Sequence, residues 1–292
     1  MTFDPILKNA SVEQLGLAVQ DNLFALFRAM TAMPDSHLEE TAKLSRHLAP
    51  PTNPMYKGVW RSRLEIDEIE SAIHETTGWF NSHGAPFFFW WTGPGTQPAD
   101  LGRRLMEHGL IDLEGQTKEM ASYIVSTAAG APGMIAALHK MNESVLEKIP
   151  QGFEMNDVQN EKDLQDFKQV LIDGYNIPAP MADGWVQSAH GFGIGKTPWR
   201  LVLGRLNGQA VATHIVYTGA GVVGVYGIAV TPSARGKGIG AAITLKPLLE
   251  ARDKDGYTYA VLFSTEMGAP VYERIGFRMT DVRINRYLWR NG

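Results

Sequence analysis

The chain has 292 residues, 44% of them apolar and 20% charged, the balance of a globular protein with enough length for two cores. A net charge of -4 gives no general field for polyanions, which argues against bulk nucleic-acid binding, and the absence of cysteine removes disulfides, thiolate metal sites and cysteine nucleophiles. The N-terminal MTFDPILKNASVEQLG lacks the basic start and apolar stretch of a secretory signal, and no apolar run approaches the ~18 residues of a membrane helix, so the expected compartment is the cytoplasm.

In chain order, apolar residues at helical spacing predict two helices, SVEQLGLAVQDNLFALFRAM and SHLEETAKLSRHL, the second with Asp35 or Ser36 as its cap. APPTNP breaks the pattern. A strand MYKGVWRS, a helix EIDEIESAIHETTGWFNSHG and a buried strand PFFFWWTG follow, then a helix PADLGRRLMEHG and strands LIDLEG and KEMASYIVS. The aromatic run Phe87–Trp91 reads as core, with alternate side chains free to shape a neighbouring groove. TAAGAPGMIAALHKMNESVLEKIPQG reads as a linker or crossing helix.

The second half begins with a strand FEMNDV and helices EKDLQDFKQVLIDGY and PMADGWVQSAHG. Three strands, WRLVLGRL, QAVATHIVYTG and GVVGVYGIAV, are separated by short glycine-containing turns and predict an antiparallel meander. A helix over 239–255, a strand YTYAVLFST, a helix GAPVYERIG and strands FRMTDV and INRYLW complete the chain. From MYKGVW to ASYIV, and again from GVYGIAV to NRYLW, the order is strand, helix, strand, helix, strand, strand, which predicts a duplication. Where the second copy has ARGKGIGAA, the first has RSRLEIDEI, without glycine and rich in acids, so the first copy is expected to keep the fold and lose any anion site.

TPSARGKGIGAAIT joins a strand to a helix start. A helix N-terminus presents unpaired N–H groups and partial positive charge, glycine permits close approach, and Arg235 and Lys237 add formal charge, so the expected ligand group is a phosphate or pyrophosphate. HGFGIGKTPW imitates a P-loop, but His190 stands where the first glycine belongs and Pro198-Trp199 starts a strand. Gly236-Lys237-Gly238-Ile239-Gly240-Ala241 also fits a dinucleotide fingerprint, yet a meander precedes it and too little chain follows for a doubly wound sheet.

Arg235-Gly236-Lys237-Gly238-Ile239-Gly240 matches [QR]-x-x-G-x-[GA], and VLFSTEMGAPVYERIGFR resembles the second signature of the same family, the GNAT acyltransferase superfamily. The resemblance covers roughly residues 152–290 and is strongest at 221–280. It implies an α+β fold of two GNAT-like domains, each a mixed, mainly antiparallel sheet flanked by helices. Residues 1–128 form a degenerate N-terminal domain, 129–150 the linker or crossing helix, and 151–292 the catalytic domain, whose sheet is splayed at the fourth strand around acetyl-CoA. Carried over residue by residue, the pyrophosphate loop is Arg235, Gly236, Lys237, Gly238, Ile239 and Gly240, extended by Ala241, and the pantetheine-pairing strand is Ile228, Ala229 and Val230. Thr265 stands where many relatives have asparagine and offers pantetheine fewer hydrogen-bonding groups.

The implied reaction moves an acetyl group from acetyl-CoA to an amine by direct attack, a small or amino-acid-like acceptor being favoured over a protein. The alternative is a non-catalytic acyl-CoA sensor or scaffold. Tyr272 occupies the family's general-acid position. Glu266, His214, Tyr226 and a water chain remain open as the base. His37 and His47 in HLEETAKLSRH lack ligand spacing on a helix, and no metal is expected. The partners implied are acetyl-CoA and an amine acceptor, with no nucleic acid and no membrane.

Overall fold

The computed structural model describes residues 4–51, 54–113, 130, 132–265 and 267–290. The first helix, α1 (Val12–Met30), starts at a capping box in which the Ser11 hydroxyl accepts the Gln14 N–H and the Gln14 side chain accepts the Ser11 N–H. Its apolar stripe, including Leu23, Phe27 and Met30, is fully buried.

SHLEETAKLSRHL is a correction to the predicted helix: it forms a hairpin of β1 (His37–Glu40) and β2 (Ser45–Leu48), turning on Thr41, whose hydroxyl accepts the Leu44 N–H. Leu, Glu, Ala and Lys favour helix, but that preference amounts to only tenths of a kcal/mol per residue. Pairing of β2 with β3 (Lys57–Trp60), which buries Ser45, Arg46 and His47, overrides it.

After β3 come α2 (Ile69–Ser82), β4 (Phe87–Thr92), α3 (Leu101–Glu107) and the short β5 (Ile111–Asp112). The aromatic run is β4, buried on both sides as expected: Phe88 and Trp90 pack in one core cluster, and Phe89 and Trp91 in another with Phe27 and Trp60. The predicted strand KEMASYIVS lies outside the described residues. The segment read as a linker or crossing helix contains a strand, β6 (Pro132–Ala137), followed by short 3-10 turns.

The second half supplies β7 (Phe153–Asp157), α4 (Glu161–Tyr175), α5 (Ala179–Phe192), β8 (Arg200–Leu206), β9 (Gln209–Gly219) and β10 (Val222–Val230). These are followed by α6 (Ile239–Asp255), β11 (Tyr259–Phe263), α7 (Ala269–Ile275), β12 (Arg278–Arg283) and β13 (Asn285–Arg290). The first sheet runs β1-β2-β3-β4-β13-β5 and the second β12-β6-β11-β10-β9-β8-β7. Each contains a meander, one parallel pair (β3 with β4, β10 with β11), and two further antiparallel strands.

The order strand, helix, strand, helix, strand is present in both copies, the predicted sixth element of the first copy lies outside the described residues, and the sheets show an exchange absent from the sequence reading. β6, from the segment read as a linker after the first copy, lies in the second sheet, and the last strand of the second copy, β13, lies in the first. The helix α1 also crosses over, packing against β9, β10, β11 and β6 of the second sheet. Boundaries at 128 and 150 thus cut through both sheets. One face of the second sheet is covered by α1, α4 and α5, and the other by α6.

Candidate active site

The site begins where two strands part. β10 runs parallel to β11 only over Val223–Val225, opposite Ala260–Leu262, while its pairing with β9 continues to Val230 across a bulge between Tyr226 and Ala229. Gly227 takes φ +57° in the bulge, and its carbonyl accepts the Thr213 hydroxyl at 2.8 Å. Beyond Val225, β11 no longer covers the edge of β10, and Ile228, Ala229 and Val230 border the gap. Ala229 is buried toward α4, whereas Ile228 and Val230 pack toward α6.

At the end of β10 the chain turns through Pro232–Ala234 into Arg235. The Arg235 guanidinium donates to the Val230 carbonyl at 3.2 Å and to the Gly174 carbonyl at 2.7 Å, so it ties the loop to the end of α4. Lys237 is exposed and makes no ion pair among the described residues. Gly236 and Gly238 have φ +74° and +78°, which favour glycine. A Cβ on Gly238 would also sit 3.2 Å from the Lys148 carbonyl oxygen.

Gly238 caps α6, whose first turn holds no acid and receives no side-chain cap. The orphan N–H groups of the first turn therefore face the loop unpaired. Ile239 and Ala241 bury their side chains and offer only backbone to the loop. Gly240 differs: a Cβ there would meet nothing closer than Val230 at 3.7 Å and Val271 at 3.9 Å. Packing does not demand glycine at that position, but close approach of a ligand would.

Across the gap, Tyr272 lies on α7, its ring 6.0 Å from that of Phe277 and folded over Gly268, where a Cβ would come within 2.8 Å of it. Burial pushes its phenol well above the usual tyrosine value, so it holds its proton at neutral pH. Its hydroxyl has no hydrogen-bond partner among the described residues. Thr265 is exposed, and its hydroxyl accepts the Gly268 N–H at 3.1 Å, which helps to start α7. Glu266 lies outside the described residues.

Two of the other base candidates are structural. His214 is buried on the α6 side of β9, and its Nδ1–H donates to the Ile243 carbonyl at 2.8 Å. Pro247, four residues on in α6, has no N–H for that carbonyl, so the imidazole replaces the missing helical bond. Burial pushes His214 down to about 4. The Tyr226 hydroxyl donates to Oδ1 of the buried Asn22 at 2.6 Å, while Nδ2 of Asn22 donates to the Gly219 carbonyl at 2.9 Å. Tyr226 is thereby a strut between β10 and α1.

Sequence reading missed Gly174 and Tyr175 at the end of α4. A Cβ on Gly174 would stand 2.7 Å from Ala229 Cβ and 3.1 Å from the Val230 nitrogen, so glycine lets α4 press against the free end of β10. Tyr175, the last residue of α4, is half-buried against the cluster under α1, α4 and α5, and burial pushes its phenol well above the usual tyrosine value. The visible signal was the Gly-Tyr pair closing a predicted helix, but which strand it approaches is a matter of tertiary structure.

The corresponding place in the first copy is sealed. β3 and β4 pair only at Gly58–Phe89 and Val59–Trp90, yet Leu64 N–H donates to the Gln97 carbonyl and Gln97 N–H to the Ser62 carbonyl, at 3.0 and 2.9 Å. The Trp90 indole adds a bond to the Ser62 hydroxyl at 2.8 Å. Carboxylates occupy the helix start: Glu68 Oε2 accepts the Glu65 N–H at 3.2 Å. A phosphate there would meet like charge. Among the described residues no group of side chains is arranged to hold a metal, and no helix is long and apolar enough to cross a membrane.

Comparison with known proteins agrees with the fold. Residues 199–279 match the acetyltransferase (GNAT) domain family. The whole fold is similar to a GCN5-related N-acetyltransferase from Kribbella flavida, at 18% identity over 95% of this chain and 97% of that one, with a TM-score of 0.68. It is also similar to a tandem GNAT protein from the clavulanic acid biosynthesis pathway, at 13% identity over 99% and 98% of the two chains, TM-score 0.57. A functionally unknown conserved protein from Staphylococcus epidermidis ATCC 12228 shares 11% identity over 88% and 95%, TM-score 0.63. No curated protein matches the sequence. Residues 199–279 thus resemble the acetyltransferase (GNAT) domain family, and the whole chain has a fold similar to that of a tandem GNAT protein.

Proposed function

We propose that the second half binds acetyl-CoA in the gap between β10 and β11 and transfers its acetyl group to the amine of a small or amino-acid-like acceptor. The observation that carries this reading is the coincidence of an unpaired β10 edge with an uncapped, glycine-lined helix start at the end of the same strand. Pantetheine amides would pair with the edge at Ile228–Val230. The diphosphate would sit on the N–H groups of Gly238–Ala241, with Lys237 beside it. Arg235 supports this loop chiefly by holding it to α4.

The acceptor must reach the thioester as a free amine, since an ammonium has no lone pair. Attack by nitrogen forms the C–N bond and places charge on the carbonyl oxygen, where backbone N–H groups near Ile228 and Ala229 stabilise it. Collapse breaks the C–S bond. Tyr272, protonated and without another partner, gives its proton to the leaving sulfur and recovers one from solvent as the nitrogen loses its own. The first copy, its gap closed by backbone bonds, acts as support for the second.

The test is release of CoA thiol across a panel of amines, amino acids and peptides. Tyr272→Phe is expected to lower kcat at least ~10-fold with acetyl-CoA affinity nearly unchanged. An unaltered kcat removes Tyr272 from the proton's path. Tight acetyl-CoA binding with no thiol release for any acceptor would instead mark a sensor of acyl-CoA.

A further inference from the structure

We propose that Thr213 is a positioning residue for acyl transfer: its hydroxyl holds the Gly227 carbonyl toward β9, so that the N–H of the same peptide, on Ile228, points into the gap where the thioester oxygen gains charge. This rests on the acetyl-transfer reading above.

The bulge on β10 is fixed from both strands. Between the pairs Tyr226–Ile215 and Ala229–Thr213, β10 has two residues, Gly227 and Ile228, where β9 has His214 alone. Glycine is required at 227 twice over: its φ of +57° favours glycine, and a Cβ there would stand 2.6 Å from Ile215 Cδ1. On β9, His214 is tied to the Ile243 carbonyl of α6 at 2.8 Å. Thr213 is fully buried and donates its hydroxyl to the Gly227 carbonyl at 2.8 Å.

That bond sets a direction. The C=O and N–H of one trans peptide point opposite ways. With the Gly227 carbonyl drawn toward β9, the Ile228 N–H points away from β9, to the side that β11 leaves after Val225. The ladder gives the same answer. The Thr231 N–H donates to the Val211 carbonyl at 2.9 Å, and residues of an antiparallel strand face a given neighbour alternately. Ala229 therefore faces β9, while Ile228 and Val230 face the gap. The Val230 carbonyl fits this alternation, since it accepts the Arg235 guanidinium at 3.2 Å rather than a donor from β9.

The chemistry gives the direction a purpose. Attack by the amine nitrogen moves the carbonyl π pair onto oxygen, and an N–H aimed at that oxygen counts most when it is oriented beforehand. Regular pairing does not orient the Gly227–Ile228 peptide, because the bulge takes it out of register with β9. The Thr213 side chain does so instead. The balance is unchanged: nitrogen gains the acetyl carbon and loses a proton, and sulfur loses the carbon and gains one. Thr213 keeps its proton throughout.

The experiment compares Thr213→Val and Thr213→Ser with the parent in the full chain. It measures kcat and KM for thiol release, acetyl-CoA affinity by calorimetry, Tm, and the infrared carbonyl stretch of bound acetyl-CoA labelled isotopically at the carbonyl. Valine keeps the shape and loses the donor, whereas serine keeps the donor and loses a buried methyl, so both lower Tm. Thr213→Val is expected to lower kcat at least ~10-fold with acetyl-CoA affinity within about threefold of the parent, and its bound carbonyl should stretch at a higher frequency. Thr213→Ser is expected to keep kcat within about twofold and to keep the parent's frequency, despite its own loss of stability. A merely structural threonine makes kcat follow Tm in both variants and leaves the frequency unmoved; that pattern, or an unchanged kcat in Thr213→Val, overturns the role. Should Thr213→Val not fold, Thr213→Ser decides: parent-like kcat and frequency support the role, and loss of either overturns it. If the parent binds no acetyl-CoA or releases no thiol with any amine, the acetyl-transfer reading falls and this role falls with it. Turnover by the parent with an indifferent Thr213→Val sinks the inference alone.

Discussion

At Gly240 the protein gives up helix stability that its own packing does not require. Glycine inside a helix costs about 0.5–1 kcal/mol relative to alanine, and a methyl here would meet only ordinary contacts at 3.7 and 3.9 Å. Gly240→Ala is therefore expected to keep or raise Tm while weakening acetyl-CoA binding; an unchanged affinity would place the diphosphate elsewhere. Gly238→Asp is a harsher test. It adds bulk beside the Lys148 carbonyl and negative charge against a phosphate, and calorimetry should show a loss of at least ~100-fold in affinity, about 2.7 kcal/mol. These glycines and Tyr272 were legible in sequence because their spacing is local. Gly174 and Asn22 were not, since each matters only through a partner far along the chain. Arg235 was legible as a residue but not in its work, which is to join two backbone carbonyls rather than to stand free for an anion.

Among the elements, α6 has a fault repaired from outside. Pro247 removes the donor for the Ile243 carbonyl, and His214 supplies another from β9. His214→Ala would leave that carbonyl unpartnered as well as a cavity, and denaturant unfolding should show a loss on the order of 2–3 kcal/mol. The bond also makes the protein acid-sensitive. His214 and the buried His47, whose Nε2 donates to the Met55 carbonyl, both fall to about 4 on folding, whereas the unfolded chain binds those protons near 6.5. The unfolded state thus holds more protons between pH 6.5 and 4. These two groups leave stability flat above that window and lower it as pH falls through it, by up to ~1.4 kcal/mol per pH unit for each. His214→Gln, which keeps a donor, should flatten the slope measured between pH 7 and 5; an identical slope would show that His214 does not carry it.

The hairpin at 37–48 is the clearest case of an element illegible in sequence. Its residues favour helix, and only the strand beside it, with His47 held by Met55 and by the Trp60 indole at 3.0 Å, makes it a sheet edge. The meander, the parting strand and the glycine turn were readable because turn residues and alternating apolar positions encode them without help from distant chain.

For the whole molecule, the exchange of β6 and β13 decides how it comes apart. Each sheet depends on a strand from the other copy, and one core cluster includes Phe27, Trp60 and Trp91 from the first half with Phe167, Trp185 and Ile215 from the second. Tyr56 adds a hydrogen bond to the Gly184 carbonyl at 3.1 Å. A single unfolding transition is expected by calorimetry rather than one per copy. Residues 151–292 expressed alone lack α1 and β6 and should show no cooperative transition, and supplying 1–150 on a second chain should restore one. Two separate transitions, or a stably folded second half, would contradict this interdependence. The duplication itself was readable from element order, but the exchange leaves no trace in a linear pattern, because each strand looks the same whichever sheet receives it.

That exchange also sets a schedule for biosynthesis. The greasy Phe87–Thr92 segment waits for Asn285–Arg290 to reach it, and roughly 190 residues must be polymerised in between, about 10–40 s at bacterial-to-eukaryotic translation speeds. Throughout that interval the nascent polypeptide displays a naked, aromatic β-edge outside the ribosome, so newly made copies should lean on holdase chaperones until Asn285–Arg290 has been made.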